Sequence, residues 1–468
     1  MDTSPATAPD TLRSLWALAA LPKPALAHAL LPWRGPVLAS SFNVAVAAQA
    51  SLAAGALAAA EIWHRRSGQP RQQVTVDGEH AVFDSLAYLR VNGQAPQVWD
   101  KISGLYACAE GHVRIHANFA HHRDGALRLL GLPAGEATER AAVAAALASW
   151  RALDFEAAAA EAGLVVAAVR RFDEWDAHPQ AKALAGKPPV ALRRIGDAPP
   201  RAWPALGTGA RPLAGLRVLD LTRILAGPVA GRTLAAWGAD VMLVNSPALP
   251  NIDAIADTSR GKLSAHVELK SAEGRATLLA LAREGHVFLQ GYRPGALAAL
   301  GFGAEALAEA VPGIVHVSLS AYGSEGPWAG RRGFDSLVQT ATGFNHAEAQ
   351  AFGQAEPRAL PLQILDYAAG YLLAFGAQAA LLRQAAEGGS WAVEVTLAGV
   401  GHWLRTLGRR GDAFAIGRPQ VEPYTEEEDS GFGRLRVVRH AVQFSRTPAG
   451  FSRPSVPPGT DPPRWPQR

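Results

Sequence analysis

Between residues 216 and 319, short apolar runs alternate with helical segments, and no other feature narrows the possible folds as far. Strands are expected at 216–221, 241–244, 264–269, 286–290 and 314–319, with helices at 230–237, 272–284 and 304–310 between them. Parallel strands need a crossover of about a dozen residues, usually a helix, so this alternation points to an α/β fold with a Rossmann-like parallel sheet. Such a sheet binds ligands at the carboxyl ends of its strands.

At 468 residues the chain exceeds one ordinary core, so two or three cooperating domains are expected. Forty-five basic and 41 acidic residues give a net charge of +4, too small to point to nucleic acid. The pI of about 9.3 suits anionic ligands such as phosphates. Cys108 is the only cysteine, which excludes an internal disulfide and a Cys-rich metal site and fits a reducing cytoplasm. The apolar stretch at 44–60 is mostly alanine and contains Gln49, as a buried helix would and a membrane span would not. The apolar run at 15–20 is broken by Lys23-Pro24 and lacks a secretory signal's pattern.

The first half reads differently. An alanine-rich helix is expected over 43–66, leaving through Arg65-Arg66-Ser67-Gly68 into a Val-Thr-Val strand at 74–76. A hairpin at 104–118, helical segments across 136–164, a strand at 164–169 and a helix near 172–185 follow. Residues 187–213 carry six prolines without apolar periodicity and read as a linker. The stretches 43–76 and 362–395 echo each other: a long Ala-rich helix, a Gly-containing turn, then Val-x-Val.

The segment 213–228, ending Thr222-Arg-Ile-Leu-Ala-Gly-Pro228, sets a loop between a strand end and a helix start, where free amides can hold phosphate. Gly-Ala-Asp-Val at 238–241 follows, then Tyr292-Arg293-Pro294-Gly295, Leu300-Gly301-Phe302 and the loop 320–328. Gly333-Phe334-Asp335, Gln339, Thr342-Gly343 and Asp366 with Gly370 complete the series. In order and spacing these motifs resemble the large domain of family III CoA-transferases, the CaiB/BaiF type, over about 200 residues.

The resemblance implies that Asp366, opening a long helix, is the nucleophile. A carboxylate in a helix's first turn is favoured by the macrodipole, which should keep it ionised; an isolated aspartate there would read as a cap. In the family the aspartate attacks the acyl-CoA carbonyl, a mixed anhydride forms, CoA captures the aspartyl group as a thioester, and the acceptor acid completes the exchange. Coenzyme A is then a substrate, with no permanently bound cofactor and no metal. Positions matching CoA contacts are Arg223, Ile224, Leu225 and Ala226, the segment 267–270 with Lys270, Tyr292 and Arg293, and Arg332; Asp335 matches an acidic family position. Lys270, Arg293 and Arg332 are the candidates for phosphate. Two departures stand out: Asn245-Ser246 replaces the family's usual acidic strand end, and Ala299 stands where an arginine often binds phosphate.

The domain order also departs from the family. Residues 1–95 resemble a degenerate copy of the post-nucleophile region, 96–186 a small α/β domain, 187–213 the linker, 214–410 the large domain, and 411–468 a return segment with a Pro-rich, loosely ordered tail. No acidic residue lies between Asp10 and Glu61, so the first helix cannot supply a second nucleophile. The resemblance implies a cytoplasmic enzyme acting on acyl-CoA and a carboxylic acid, as a homodimer or with a related chain, without nucleic acid or membrane. Two alternatives remain: an alpha-methylacyl-CoA racemase-like isomerase, against which Phe334 occupies a histidine position, and a non-catalytic CoA-binding or structural homologue.

Overall fold

The computed structural model describes residues 5–417 and 419–467. Its centre is a seven-stranded sheet in the order Lys262–His266, Asp240–Asn245, Arg217–Leu221, Val287–Gln290, Val315–Ser320, Ser390–Thr396, Ala191–Gly196. The first six are parallel neighbours, and numbered along the second half of the chain they run 3-2-1-4-5-6. The order reverses between Arg217–Leu221 and Val287–Gln290, and this switch point opens a crevice at the strands' carboxyl ends.

Period-two alternation supplies both faces with core. Val218, Val241, Leu289 and Val317 pack on one face against the helices Ala226–Ala236, Ile364–Glu387 and Val44–Ser67. Leu219, Met242 and Phe288 pack on the other, against the helices Ala272–Glu284 and Ala304–Ala310.

The seventh strand corrects the linker expected at 187–213. Ala191–Gly196 pairs antiparallel with Ser390–Thr396 and closes one edge of the sheet. Prolines flank this run but spare its interior, so its amide groups remain free for pairing. The tail is corrected as well. Asp461 donates its N–H to Ser264 O at 2.7 Å and accepts the Ser264 N–H at 2.8 Å, and Trp465 is buried, its indole N–H donating to Leu281 O at 3.0 Å. The Pro-rich segment thus covers the opposite sheet edge, as an unpaired strand requires.

The echoed helices are matched in shape. Val44–Ser67 and Ile364–Glu387 each have 24 residues, and their N-caps Asn43 (φ −83°, ψ 52°) and Gln363 (φ −81°, ψ 60°) have nearly the same backbone conformation. They pack together in the core, Gln378 Nε2 donating to Gly55 O at 3.1 Å. Both are long and apolar enough to cross a membrane, yet both are enclosed by protein. The helical segments expected across 136–164 are the two helices Arg140–Leu147 and Ala152–Glu161. With Ala120–Leu129 they cover an antiparallel sheet of Gly104–Ala107, His112–Ile115 and Val166–Ala168, which has its own core around Val113, Ile115 and Phe155.

Strand Leu89–Val91 pairs with Gly433–Val438, so the return segment is knitted to the N-terminal half. Arg232 fastens the halves further. Its guanidinium donates to Asp84 at 2.7 Å and to Asp257 at 2.5 Å, all three being buried.

Candidate functional site

A cleft of about 340 Å³ opens at the switch point. Arg223 and Ile224, from the loop after Arg217–Leu221, form one wall; Tyr292 and Arg293, from the loop after Val287–Gln290, form a second. Ser320, Arg331, Arg332 and Phe334 form a third, and Phe119, His121 and His122 close the cleft from the N-terminal half.

The first loop is held from beneath. Lys262 Nζ and Asp220 Oδ2 make a fully buried ion pair at 2.8 Å, and Lys262 also donates to Pro228 O at 2.9 Å. Asp220 Oδ1 accepts the Thr222 N–H at 3.0 Å and its hydroxyl at 2.5 Å, so the pair's remaining hydrogen-bonding capacity goes into fixing the loop. Above it Ile224 has φ 76°, a left-handed conformation that a β-branched residue adopts only under constraint from its surroundings. Gly370 lets the helix Ile364–Glu387 press against this region: a Cβ there would lie 2.6 Å from Ala226 O.

The third wall is stapled across the two halves by Gln180. Its side chain donates to Tyr322 O and Glu325 O, both at 2.8 Å, and accepts the Trp328 N–H at 2.6 Å. The loop then runs through Phe334, on the cleft, into Asp335, the first residue of the helix Asp335–Ala341. Asp335 is fully buried; Oδ2 accepts the Asp366 N–H at 3.0 Å and Oδ1 accepts the Gln339 side-chain N–H.

Asp366 lies in the first turn of Ile364–Glu387 and is 8% exposed. It is not a cap, since the N-cap residue is Gln363 and makes no side-chain capping bond. Burial, followed by the charge of Asp335, holds its carboxyl well above the ordinary aspartate range. Burial also pushes Asp335 up to about 7, partly offset by the amide of Asp366, Gln339 and Arg114. Desolvation and the like charge of Asp335 thus oppose the ionisation that the helix start favours.

The family model for CoA-transferase family III matches residues 213–410. That part of the chain is similar to CoA-transferase family III. The chain is 33% identical over 261 residues to a probable fatty acyl-CoA transferase of Mycobacterium tuberculosis, covering 52% of this chain and 64% of that protein. It is 32% identical over 263 residues to a succinate–glutarate CoA-transferase of Agrobacterium fabrum, covering 50% and 65%. The crystal structure of a hypothetical protein from Mycobacterium tuberculosis aligns with TM-score 0.39 at 33% identity, covering 42% of this chain and 58% of that one. The chain thus spans less than two thirds of the length of these relatives.

Within the family III region, the cleft gathers Arg223, Ile224, Tyr292, Arg293 and Arg332. Leu225 and Ala226 are buried behind it at the start of the helix Ala226–Ala236. Lys270 is exposed just before the helix Ala272–Glu284 and does not line the cleft. Asp335 lies behind Phe334 and faces Asp366.

The residues not foreseen come from outside the family III region. Burial is the main cause that lowers the pKa values of His121 and His122, His122 to about 3, and Arg332 Nη1 lies 3.0 Å from His122 Nε2. A guanidinium only donates, so His122 Nε2 accepts and the imidazole is neutral. One signal was available: four of the 14 histidines fall within 112–122. Among the described residues, no group of three His, Cys, Asp or Glu side chains is arranged to hold a metal.

Proposed function

We propose that the protein transfers CoA between an acyl-CoA and a carboxylic acid, with Asp366 as nucleophile and the cleft as the CoA site. One relationship carries this reading: the cleft wall at Phe334 continues directly into Asp335, whose carboxylate accepts the Asp366 N–H at 3.0 Å.

In the proposed reaction the ionised Asp366 attacks the thioester carbonyl, the C–S bond breaks, and CoA thiolate leaves a mixed anhydride. The thiolate then attacks the aspartyl carbonyl, releasing the donor acid and forming an aspartyl-CoA thioester. The acceptor carboxylate attacks that thioester and expels the thiolate; the thiolate attacks the new acyl carbon and restores Asp366. Arg223, Arg293 and Arg332 would hold the phosphates of CoA in this scheme. The named relatives, a probable fatty acyl-CoA transferase and a succinate–glutarate CoA-transferase, support the reaction class. Isomerisation at the α carbon would need a further acid/base, and the Phe334 side chain supplies none.

Incubation with acyl-CoAs and labelled CoA tests the proposal. The wild type should exchange label and form a hydroxylamine-sensitive adduct on the peptide bearing Asp366, and Asp366→Asn should do neither. Exchange by the Asn variant, or an adduct on another residue, would overturn the mechanism; CoA binding with no exchange in the wild type would favour a non-catalytic homologue.

A further inference from the structure

The transfer chemistry brings an acid's carboxylate next to Asp335 and Asp366, two buried carboxyl groups. A third carboxylate would be excluded unless a cation met it there. None of the side chains within the family III region that contact Asp335 or Asp366 is cationic: Asp335 meets the Gln339 amide and the backbone of Asp366. The cation comes from the N-terminal half.

Strand His112–Ile115 places Val113 and Ile115 in the small core, so Arg114, on its other face, is turned towards the family III region. The helix Asp335–Ala341 packs against this strand, and Arg114 and Asp335 lie close enough for each to act on the other's charge. Arg114 is 8% exposed, and its guanidinium makes no hydrogen bond or ion pair among the described residues; Nε is fully enclosed without a partner. Its flat face rests 5.3 Å from the centre of the Trp99 ring. An enclosed donor without a partner is costly, and the Nη groups of Arg114, which are not fully enclosed, keep their donors available for a ligand.

The residue two further on continues the pattern. His116 stacks on Phe334 at 4.0 Å and 15°, is buried, and has an enclosed Nδ1 without a partner. His116 thus rests against Phe334 and Arg114 acts on the neighbouring Asp335, whose carboxylate accepts the Asp366 N–H.

We infer that Arg114 binds the carboxylate of the acceptor acid beside Asp335 and Asp366, so that the N-terminal half supplies the acid subsite of a centre whose nucleophile and CoA cleft lie in the family III region. The inference rests on the CoA-transfer reading for the identity of its ligand. A guanidinium offers a carboxylate two parallel N–H donors, which an ammonium cannot match. The arrangement divides the labour: the switch-point cleft takes the CoA moiety, and Arg114 recognises the acid.

The test uses the full chain with acetate, succinate and glutarate as probes, their binding read by thermal shift and calorimetry, beside acyl-CoA/labelled-CoA exchange, which needs no free acid. Arg114→Gln should weaken binding of the preferred acid by about 10- to 100-fold, as expected for a lost charge-assisted hydrogen bond, while affinity for CoA, read by calorimetry, is unchanged. Arg114→Lys, which keeps the charge but not the fork, should recover part of the acid affinity. Equal acid affinity in wild type and Arg114→Gln, no acid binding by the wild type, or a parallel fall in acid and CoA affinity would each overturn the assignment. Acid binding that depends on Arg114 in a wild type that does not exchange CoA would uphold the subsite and refute CoA transfer.

Discussion

Asp335 holds Asp366 by its backbone, Oδ2 accepting the Asp366 N–H at 3.0 Å, and the same contact sets two buried carboxyl groups side by side. The arrangement positions the first turn of the long helix and makes ionisation of each carboxyl costly for the other.

The pair's pH dependence has a definite sign. Both carboxyls have folded-state pKa values above the ordinary aspartate value of 3.8, Asp335 at about 7. Each contributes stability that is complete below 3.8 and is lost as pH rises above it, for Asp335 through about 7. Asp366→Asn should therefore gain stability relative to wild type as pH rises through this window, as measured by melting temperature against pH. Asp335→Asn keeps an oxygen for the Asp366 N–H but removes the like charge, so the acid limb of transfer rate against pH should move to lower pH. An unmoved limb would mean that Asp335 does not set the ionisation of Asp366.

The cleft residues differ in their expected response to salt. Arg293→Gln and Arg332→Gln should weaken CoA binding, with the larger loss at low ionic strength, where attraction to phosphate is least screened. Lys270→Gln should leave affinity unchanged, because Lys270 is exposed and outside the cleft. Calorimetry at two salt concentrations checks both, and equal losses in all three variants would relocate the phosphates.

Removing the cation that joins the halves should be costly. Arg232→Met would leave Asp84 and Asp257 without their shared guanidinium partner, at about 3–5 kcal/mol. Burial opposes ionisation of Asp84, but Arg232 and then His440 hold its carboxyl well below the ordinary range, so the native contribution is present above 3.8 and is lost as pH falls below it. Denaturant titrations at neutral and acid pH should show the difference between wild type and variant narrowing in acid. A variant as stable as wild type at neutral pH would show that the two carboxylates are satisfied without Arg232.

The sequence by itself determined the doubly wound core, because a period of two in Val218–Leu219 and Val241–Met242 and helical spacing between the strands are local properties that every packing must respect. It also determined the motif residues around Arg223, Tyr292, Arg332 and Asp366, since loops at strand ends need particular residue types in a fixed order. Only the tertiary structure decided what these residues meet. The strand Ala191–Gly196 in the expected linker and the Asp461 and Trp465 contacts in the expected loose tail arise from unpaired sheet edges, to which no local pattern refers. Asp366's proton affinity depends on burial and on Asp335, 31 positions away in the chain, and the approach of Arg114 and His122 crosses from one half to the other. Strand and helix periodicity is fixed by bonds between near neighbours, whereas desolvation and through-space charge depend on which distant segments come together.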